Sequence, residues 1–151
     1  MDMEAKLGHL YSGVLADVVS TISGFSLEVI SEEWDAGLED MTGIMCLNGK
    51  MSGTLFISAK EEHIRRLCSY MIGVTEDEVS EEDTEDSLKE LTNIVAGGAK
   101  LRLSNTEYAF NLSPPFVIKG QNMSIGEKNK PRLIARVLSN DDITVKIKIV
   151  Y

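Results

Sequence analysis

Ile143-Thr144-Val145-Lys146-Ile147-Lys148-Ile149-Val150-Tyr151 is the stretch whose reading decides the fold class. Ile143, Val145, Ile147, Ile149 and Tyr151 alternate with Thr144, Lys146 and Lys148. A period of two belongs to a strand with one buried face and one wet face. Asn140-Asp141-Asp142 supplies a turn before it, and residues 132–138 read as its neighbouring strand. Farther upstream, Ile44-Met45-Cys46-Leu47, then Asn48-Gly49, then Lys50 to Ser58 carries a second hairpin signal. Asn-Gly suits the two positive-φ positions of a type I′ turn.

The remaining segments change period. Leu7, Leu10, Val14, Val18 and Ile22 recur at helical spacing with Tyr11 and Leu15 beside them, predicting an amphipathic helix over about 4–22, closed by Ser23-Gly24. A strand is expected around 26–33. Ile64, Leu67, Cys68 and Met71 mark a short helix ended by Gly73 in a left-handed cap. Residues 74–86 form an acidic, turn-like stretch, and a longer helix runs over about 84–103. Pro114-Pro115 interrupts the chain before the extended segment begun by Phe116, Val117 and Ile118. Residues 120–130, with Gly120, Gly126 and Asn129, read as a loop or hairpin tip. Helix, three strands, two helices, then strands is not a strand–helix alternation. The expected class is therefore α+β, a mainly antiparallel sheet packed with a long N-terminal helix and a second long helix, in one domain over residues 1–151.

Composition narrows the function. The chain has 151 residues, 43% hydrophobic, enough for one buried core. Fifteen basic against 24 acidic side chains leave a net charge of −9, which argues against binding nucleic acid, because phosphates call for a basic surface. The charge is uneven: residues 1–99 hold 20 of the acidic groups and residues 100–151 hold 9 of the basic ones. Such a dipole can orient a charged partner at a distance. Cys46 and Cys68 are too few for a disulfide framework or a zinc site, in keeping with a reducing cytoplasm. Met1-Asp2-Met3-Glu4 lacks the basic and apolar regions of a signal peptide, and no apolar run approaches the roughly 18 residues of a membrane span. A soluble cytoplasmic protein without membrane contact is expected.

No phosphate-loop, dinucleotide-binding, zincin or nucleophile-elbow pattern occurs. His9 and His63 lack metal-spaced partners and read as surface or packing residues. Cys46, in a strand pattern, and Cys68, on an apolar helical stripe, read as small core residues. Trp34 is assigned to packing. The acidic run from Glu76 to Asp86 suits the positive end of a helix dipole, and Ser80-Glu81-Glu82-Asp83 resembles a capping box.

The informative segment is the long helix around Asp86-Ser87-Leu88-Lys89-Glu90-Leu91-Thr92-Asn93-Ile94-Val95-Ala96-Gly97-Gly98-Ala99-Lys100. At 100° per residue from Leu88, Leu91, Val95, Gly98 and Ala99 fall within about 80° and form the buried stripe. Glu90, Asn93 and Gly97 lie at about 200°, 140° and 180°, on the opposite face. A carboxylate and an amide thus stand side by side on one helix surface. Gly97 costs about 1 kcal/mol against alanine in a helix interior, a cost that makes sense where another backbone must come close. Alone, a Glu-x2-Asn pair is commonplace on solvated helix faces.

Asp86-x3-Glu90-x2-Asn93 resembles the signature of the CheC/CheX/FliY family of chemotaxis phosphatases. Pro115 follows Asn93 with 21 residues between, one short of the family's usual spacing. The surroundings are similar too: Gly53-Thr54-Leu55-Phe56-Ile57 leading into a helix, Met71-Ile72-Gly73 closing it, and Asn93-Ile94-Val95-Ala96-Gly97. Resemblance extends over about residues 43–120. A single motif, with none in the first helix, resembles the CheX type most. It implies a CheX-like fold and hydrolysis of the aspartyl phosphate on a phosphorylated CheY-like response regulator. Asn93 would orient the attacking water, and Glu90 would pair with the regulator's active-site lysine. Magnesium would sit on the regulator, with no cofactor bound by this chain. Asp86, Gly97 and Gly98 would adjoin the partner, the glycines by permitting close approach. The resemblance also implies a homodimer extending the sheet. Two other readings stand beside it: a non-catalytic module of the same fold docking on a regulator, a flagellar switch component or a CheD-like deamidase, and a dimerisation domain in which the motif is incidental.

Overall fold

A computed structural model describes residues 1–127, 129 and 132–151. In chain order the elements are α1 (Met3–Ser23), β1 (Glu28–Ser31), β2 (Met41–Gly49), β3 (Gly53–Ala59), α2 (Glu61–Ile72), a 3-10 turn (Glu76–Glu78), α3 (Glu81–Leu103), β4 (Phe110–Leu112), β5 (Phe116–Lys119), β6 (Leu133–Ser139) and β7 (Thr144–Val150). The seven strands form one antiparallel sheet in the order β1-β6-β7-β3-β2-β4, with β5 also on β2. The α+β expectation therefore holds. Part of the loop expected over 120–130, Lys128 and Lys130, lies outside the described residues.

Helix ends follow their chemistry. Asp2 caps α1 by accepting from the Ala5 amide at 2.7 Å, and Gly24 and Gly73 take the left-handed cap positions at φ 77° and 72°. The acidic stretch is more ordered than the turn expected there. Ser80 Oγ accepts from the Asp83 amide at 3.0 Å while Asp83 accepts from the Ser80 amide at 3.1 Å. That reciprocal box starts α3 at Glu81, three residues before the predicted boundary.

The hairpin turn is displaced. Asn48 and Gly49 do not have positive φ; they continue β2, and pair with Asn111 and Phe110 of β4 while Leu47 pairs with Gly53. The reversal falls on the residues after Gly49. A Cβ on Gly49 would stand 2.1 Å from the Ala109 carbonyl oxygen. Glycine is needed there for the approach of β4, not for turn geometry. Where the Pro114-Pro115 break separates β4 from β5 along β2, Ser113 Oγ accepts from the Cys46 amide at 3.1 Å and donates to its carbonyl at 2.9 Å. Cys46 itself is exposed, which corrects its assignment to the core; Cys68 is buried as expected.

One sheet face meets α1 and α3, which touch each other and the strands beneath. Ile147 and Ile149 of β7, Leu55 and Ile57 of β3, and Leu88, Leu91, Val95 and Ala99 of α3 are buried in this core. On α1 the buried line is Leu7, Tyr11, Val14, Leu15 and Val19. Leu10, Val18 and Ile22, expected on the buried stripe, form only a partly covered shoulder.

The other face is less wet than the alternation of β7 predicts. Lys148 is only 2% exposed. The segment 34–40 lies over it and is fixed by Leu38 N to Met123 O (2.9 Å), Ile125 N to Ala36 O (2.8 Å) and Glu39 N to Ser58 Oγ (2.8 Å). Lys148 Nζ donates to the Gly37 carbonyl at 2.9 Å and to the Asp35 carbonyl, and lies 5.0 Å from the Trp34 ring centre. Burial lowers the Lys148 pKa, while the Gly37 amide holds the Asp35 carboxylate below its usual value. A buried ammonium is tolerable when carbonyls and an aromatic face replace its water.

The uneven charge along the chain is partly resolved within the molecule. Arg102 pairs with Asp17, Lys119 with Glu81 and Glu85, Arg136 with Glu32, and Lys146 with Asp35 and Glu39. Each joins a base from the last third to an acid from the first two-thirds. The expected dipole is correspondingly shortened.

Tyr11 and Tyr151 meet hydroxyl to hydroxyl at 3.1 Å in the core. Burial raises both pKa values. A raised acid pKa means that the folded state keeps a proton the unfolded chain releases above about pH 10, so stability drops as pH rises through that range. The expected slope is about 1.4 kcal/mol per pH unit for each tyrosine held neutral. Urea midpoints between pH 10 and 12 should show it, and Tyr11→Phe should take about 1.4 kcal/mol per pH unit off the slope; an unchanged slope would refute the assignment. Lys148, with its lowered pKa, works the other way below about pH 10.5, so the comparison with Tyr11→Phe carries the result.

Candidate functional site

α3 has a deep face and an open one. Ser87, Leu88, Leu91, Thr92, Val95, Ala96 and Ala99 are buried, and Asp86, Glu90 and Asn93 are exposed. The helix is seated by small residues. A Cβ on Gly43 of β2 would lie 2.1 Å from Thr92 Oγ1, so α3 rests almost directly on the strand. Thr92 Oγ1 donates back to the Leu88 carbonyl at 2.7 Å. Because Leu91 and Thr92 point into the core, Glu90 and Asn93, three residues apart, are turned to solvent side by side.

Asp86, Glu90, Asn93 and Gly97 share this outer stripe, within about 60° of one another around the helix. Gly97 has nothing within 4 Å of the place a Cβ would occupy. Open space above it leaves the notch expected for a close-approaching backbone. Gly98 differs: its Cβ would be 2.7 Å from Val14 Cγ1. Its small size is used in packing α3 on α1, so it sits beside the open stripe and not on it.

Side-chain bonds tie down the rest of α3. Ser87 Oγ donates to Cys68 Sγ at 2.8 Å, where burial raises the thiol's pKa. Lys119 of β5 bridges Glu81 and Glu85, and those two hydrogen bonds raise its pKa while lowering that of Glu81. Arg102 donates to Asp17 of α1 at 3.1 Å. The helix is thus anchored to α2, β5 and α1 along its length. Among the described residues, Glu90 and Asn93 are outside this network. A carboxylate and an amide on a fixed backbone, with their polar atoms uncommitted, are free to meet a second molecule. The carboxylate can accept from an ammonium, and the amide can both accept from and donate to water. Among the described residues, no group of three or more His, Cys, Asp or Glu side chains is arranged to hold a metal ion.

A family model described as chemotaxis phosphatase CheX matches residues 41–138. The chain belongs to the CheX family. The matched segment runs from the start of β2 into β6 and contains all of α3. Solved structures of the CheX fold agree over nearly the whole chain. CheX from Vibrio vulnificus is 23% identical, with a TM-score of 0.83 over 96% of this chain and 98% of that one. A CheC-like superfamily protein from Shewanella sp. PV-4 is 25% identical, with a TM-score of 0.81 over 99% and 98%. A third, solved as a CheX–CheY–BeF3–Mg complex from Borrelia burgdorferi, is 22% identical, with a TM-score of 0.78 over 99% and 97%. No curated protein sequence is significantly similar to this chain.

Sequence reasoning placed Glu90 and Asn93 together on one face, as they are. It missed what seats the helix, namely the Thr92–Gly43 contact and the Lys119 bridge. Thr92 lies at about 40° from Leu88 on the buried side, which was a usable signal. Its partner Gly43, almost fifty residues away, was not. Among the described residues no helix is long and apolar enough to cross a membrane.

Proposed function

We propose that this CheX-family protein is a phosphatase for the aspartyl phosphate of a CheY-like response regulator, with α3 as the working surface. The carrying observation is the exposure of Glu90 and Asn93 side by side on an anchored helix. Membership of a phosphatase family, and the CheY complex formed by the Borrelia relative, support the choice of partner.

Hydrolysis of an acyl phosphate needs a water in line with the departing carboxylate oxygen and a site that accommodates the phosphoryl charge. The carbonyl of Asn93 accepts a hydrogen bond from that water and aims its lone pair at phosphorus. The water's oxygen–phosphorus bond forms as the bond to the aspartate breaks, giving inorganic phosphate and a free carboxylate. Magnesium on the regulator neutralises phosphoryl oxygens. Glu90 pairs with the regulator's active-site lysine and fixes the register of the helix over the phosphate. Asp86 borders the contact, and Gly97 leaves room for the regulator's backbone. The protein works in the cytoplasm as a homodimer.

Glu90→Ala should weaken productive docking, raising the KM for phosphorylated regulator more than it lowers kcat. Steady-state phosphate release against regulator concentration checks this. An unaltered KM would remove the docking role.

The deciding experiment is phosphate release from regulators of the same organism labelled with acetyl phosphate. Acceleration by the wild-type protein supports the reading; no acceleration with any regulator overturns it.

A further inference from the structure

Val18 and Ile22 stay partly uncovered although they belong to the apolar stripe of α1. With Asp17 and Thr21 they face Ile94 of α3 and enclose a cleft of about 230 Å³. Ile94 is 38% exposed and follows Asn93 in the chain. Around α3, Asn93, Gly97, Leu101 and Ile94 come at about 140°, 180°, 220° and 240°. The polar stripe therefore passes across the bare Gly97 notch directly into an apolar strip, in which Leu101 is 79% exposed. The one charged group lining the cleft, Asp17, is paired with Arg102 at 3.1 Å. An apolar depression bordered by committed polar groups is the usual anatomy of the centre of a protein interface.

We propose that the α1–α3 cleft at Val18, Ile22 and Ile94 receives one apolar side chain, of leucine, isoleucine or methionine size, from the response-regulator surface beside its phosphorylated aspartate. The proposal rests on the phosphatase reading and adds to it the anchor that sets affinity. Continuity with the Glu90–Asn93 stripe selects the regulator as occupant: a partner laid over Asn93 necessarily covers the adjoining strip. The polar pair alone offers little desolvated area, and buried apolar anchors carry most of the energy at protein interfaces. Ile94 is thus a positioning and specificity-determining residue, acting through the fit of the partner.

The test is phosphate release from acetyl-phosphate-labelled regulator, measured across regulator concentration for wild type, Ile94→Ser, Ile94→Leu and Thr21→Glu. Thr21 is exposed on the rim, so its replacement charges the mouth of the cleft without disturbing the core. Ile94→Ser and Thr21→Glu are expected to raise KM about tenfold or more, with the loss falling on KM and not on kcat. Ile94→Leu should keep the wild-type KM. An active wild type whose KM is unmoved by Ile94→Ser and Thr21→Glu overturns the cleft proposal and leaves the phosphatase reading intact. Wild type inactive with every regulator overturns the phosphatase reading, and the cleft's role falls with it. A change of oligomeric state in the variants by size-exclusion chromatography would assign the cleft to a second copy of this chain and overturn the proposal.

Discussion

Asn93→Ala is expected to lower kcat for regulator dephosphorylation by about 10²-fold or more, with regulator binding largely retained. The argument is positional. Asn93 is fixed by a helix that rests on Gly43 through Thr92, so its amide is presented at a constant height above the sheet. An amide that only aims a water contributes little to the ground-state complex and much to the in-line geometry of the reaction, so its removal falls on kcat. Misplacement by about 1 Å is enough to cost roughly 10²-fold. Alanine leaves the helix intact because the Asn93 side chain is exposed. Single-turnover phosphate release, paired with an affinity measurement on the same regulator, separates the two terms. Asn93→Ala retaining most of its wild-type rate would remove the water-orienting assignment.

Gly49→Ala should destabilise the fold by about 3 kcal/mol or more, at the upper end for overpacked sites. The obstruction is backbone: a Cβ would meet the Ala109 carbonyl oxygen at 2.1 Å and its carbon at 3.2 Å. No side-chain rotation relieves that, so β4 must move off β2 and give up its pairing at Asn48 and Gly49. Valine should be no better. Gly126, exposed and with open space where a Cβ would go, is the matched control, and alanine there should change stability by less than about 0.5 kcal/mol. Urea midpoints for the two variants make the comparison. A Gly49→Ala loss below about 1 kcal/mol would mean that the two strands separate more readily than their packing indicates.

Elements governed by local rules were legible in the sequence. The caps at Gly24 and Gly73, the alternation in β7 and the outward placement of Glu90 and Asn93 all follow from chain neighbours at fixed spacing. Failures arose where a distant segment set the outcome. Asn48-Gly49 carries the chemistry of a tight turn, yet β4, sixty residues on, recruits both residues into the sheet. Lys148 alternates as a solvent-facing residue should, but the segment 34–40 covers it and its carbonyls take the place of water. Leu10, Val18 and Ile22 have the right period and still sit at the edge of the buried face. Periodicity fixes a direction around a helix only to within a residue or so, and what lies opposite fixes the rest. The site divides the same way: its two polar side chains were visible as a motif, while the cleft beside them is formed between two helices far apart in the chain, α1 and α3.

The place of β7 in the sheet governs how the molecule must assemble. It is the last strand in the chain but lies between β6 and β3. Without it, the β1-β6 pair and the strands around β2 have no hydrogen bond in common, and Tyr11 near one end of the chain lacks Tyr151 at the other. Until residues 133–150 take their places, β1 has no neighbour and one edge of β3 stays open to pair with whatever is nearby. Closure is a long-range event of the slow kind set by topology, whereas the motif helix takes its seat mainly on β2, β4 and β5.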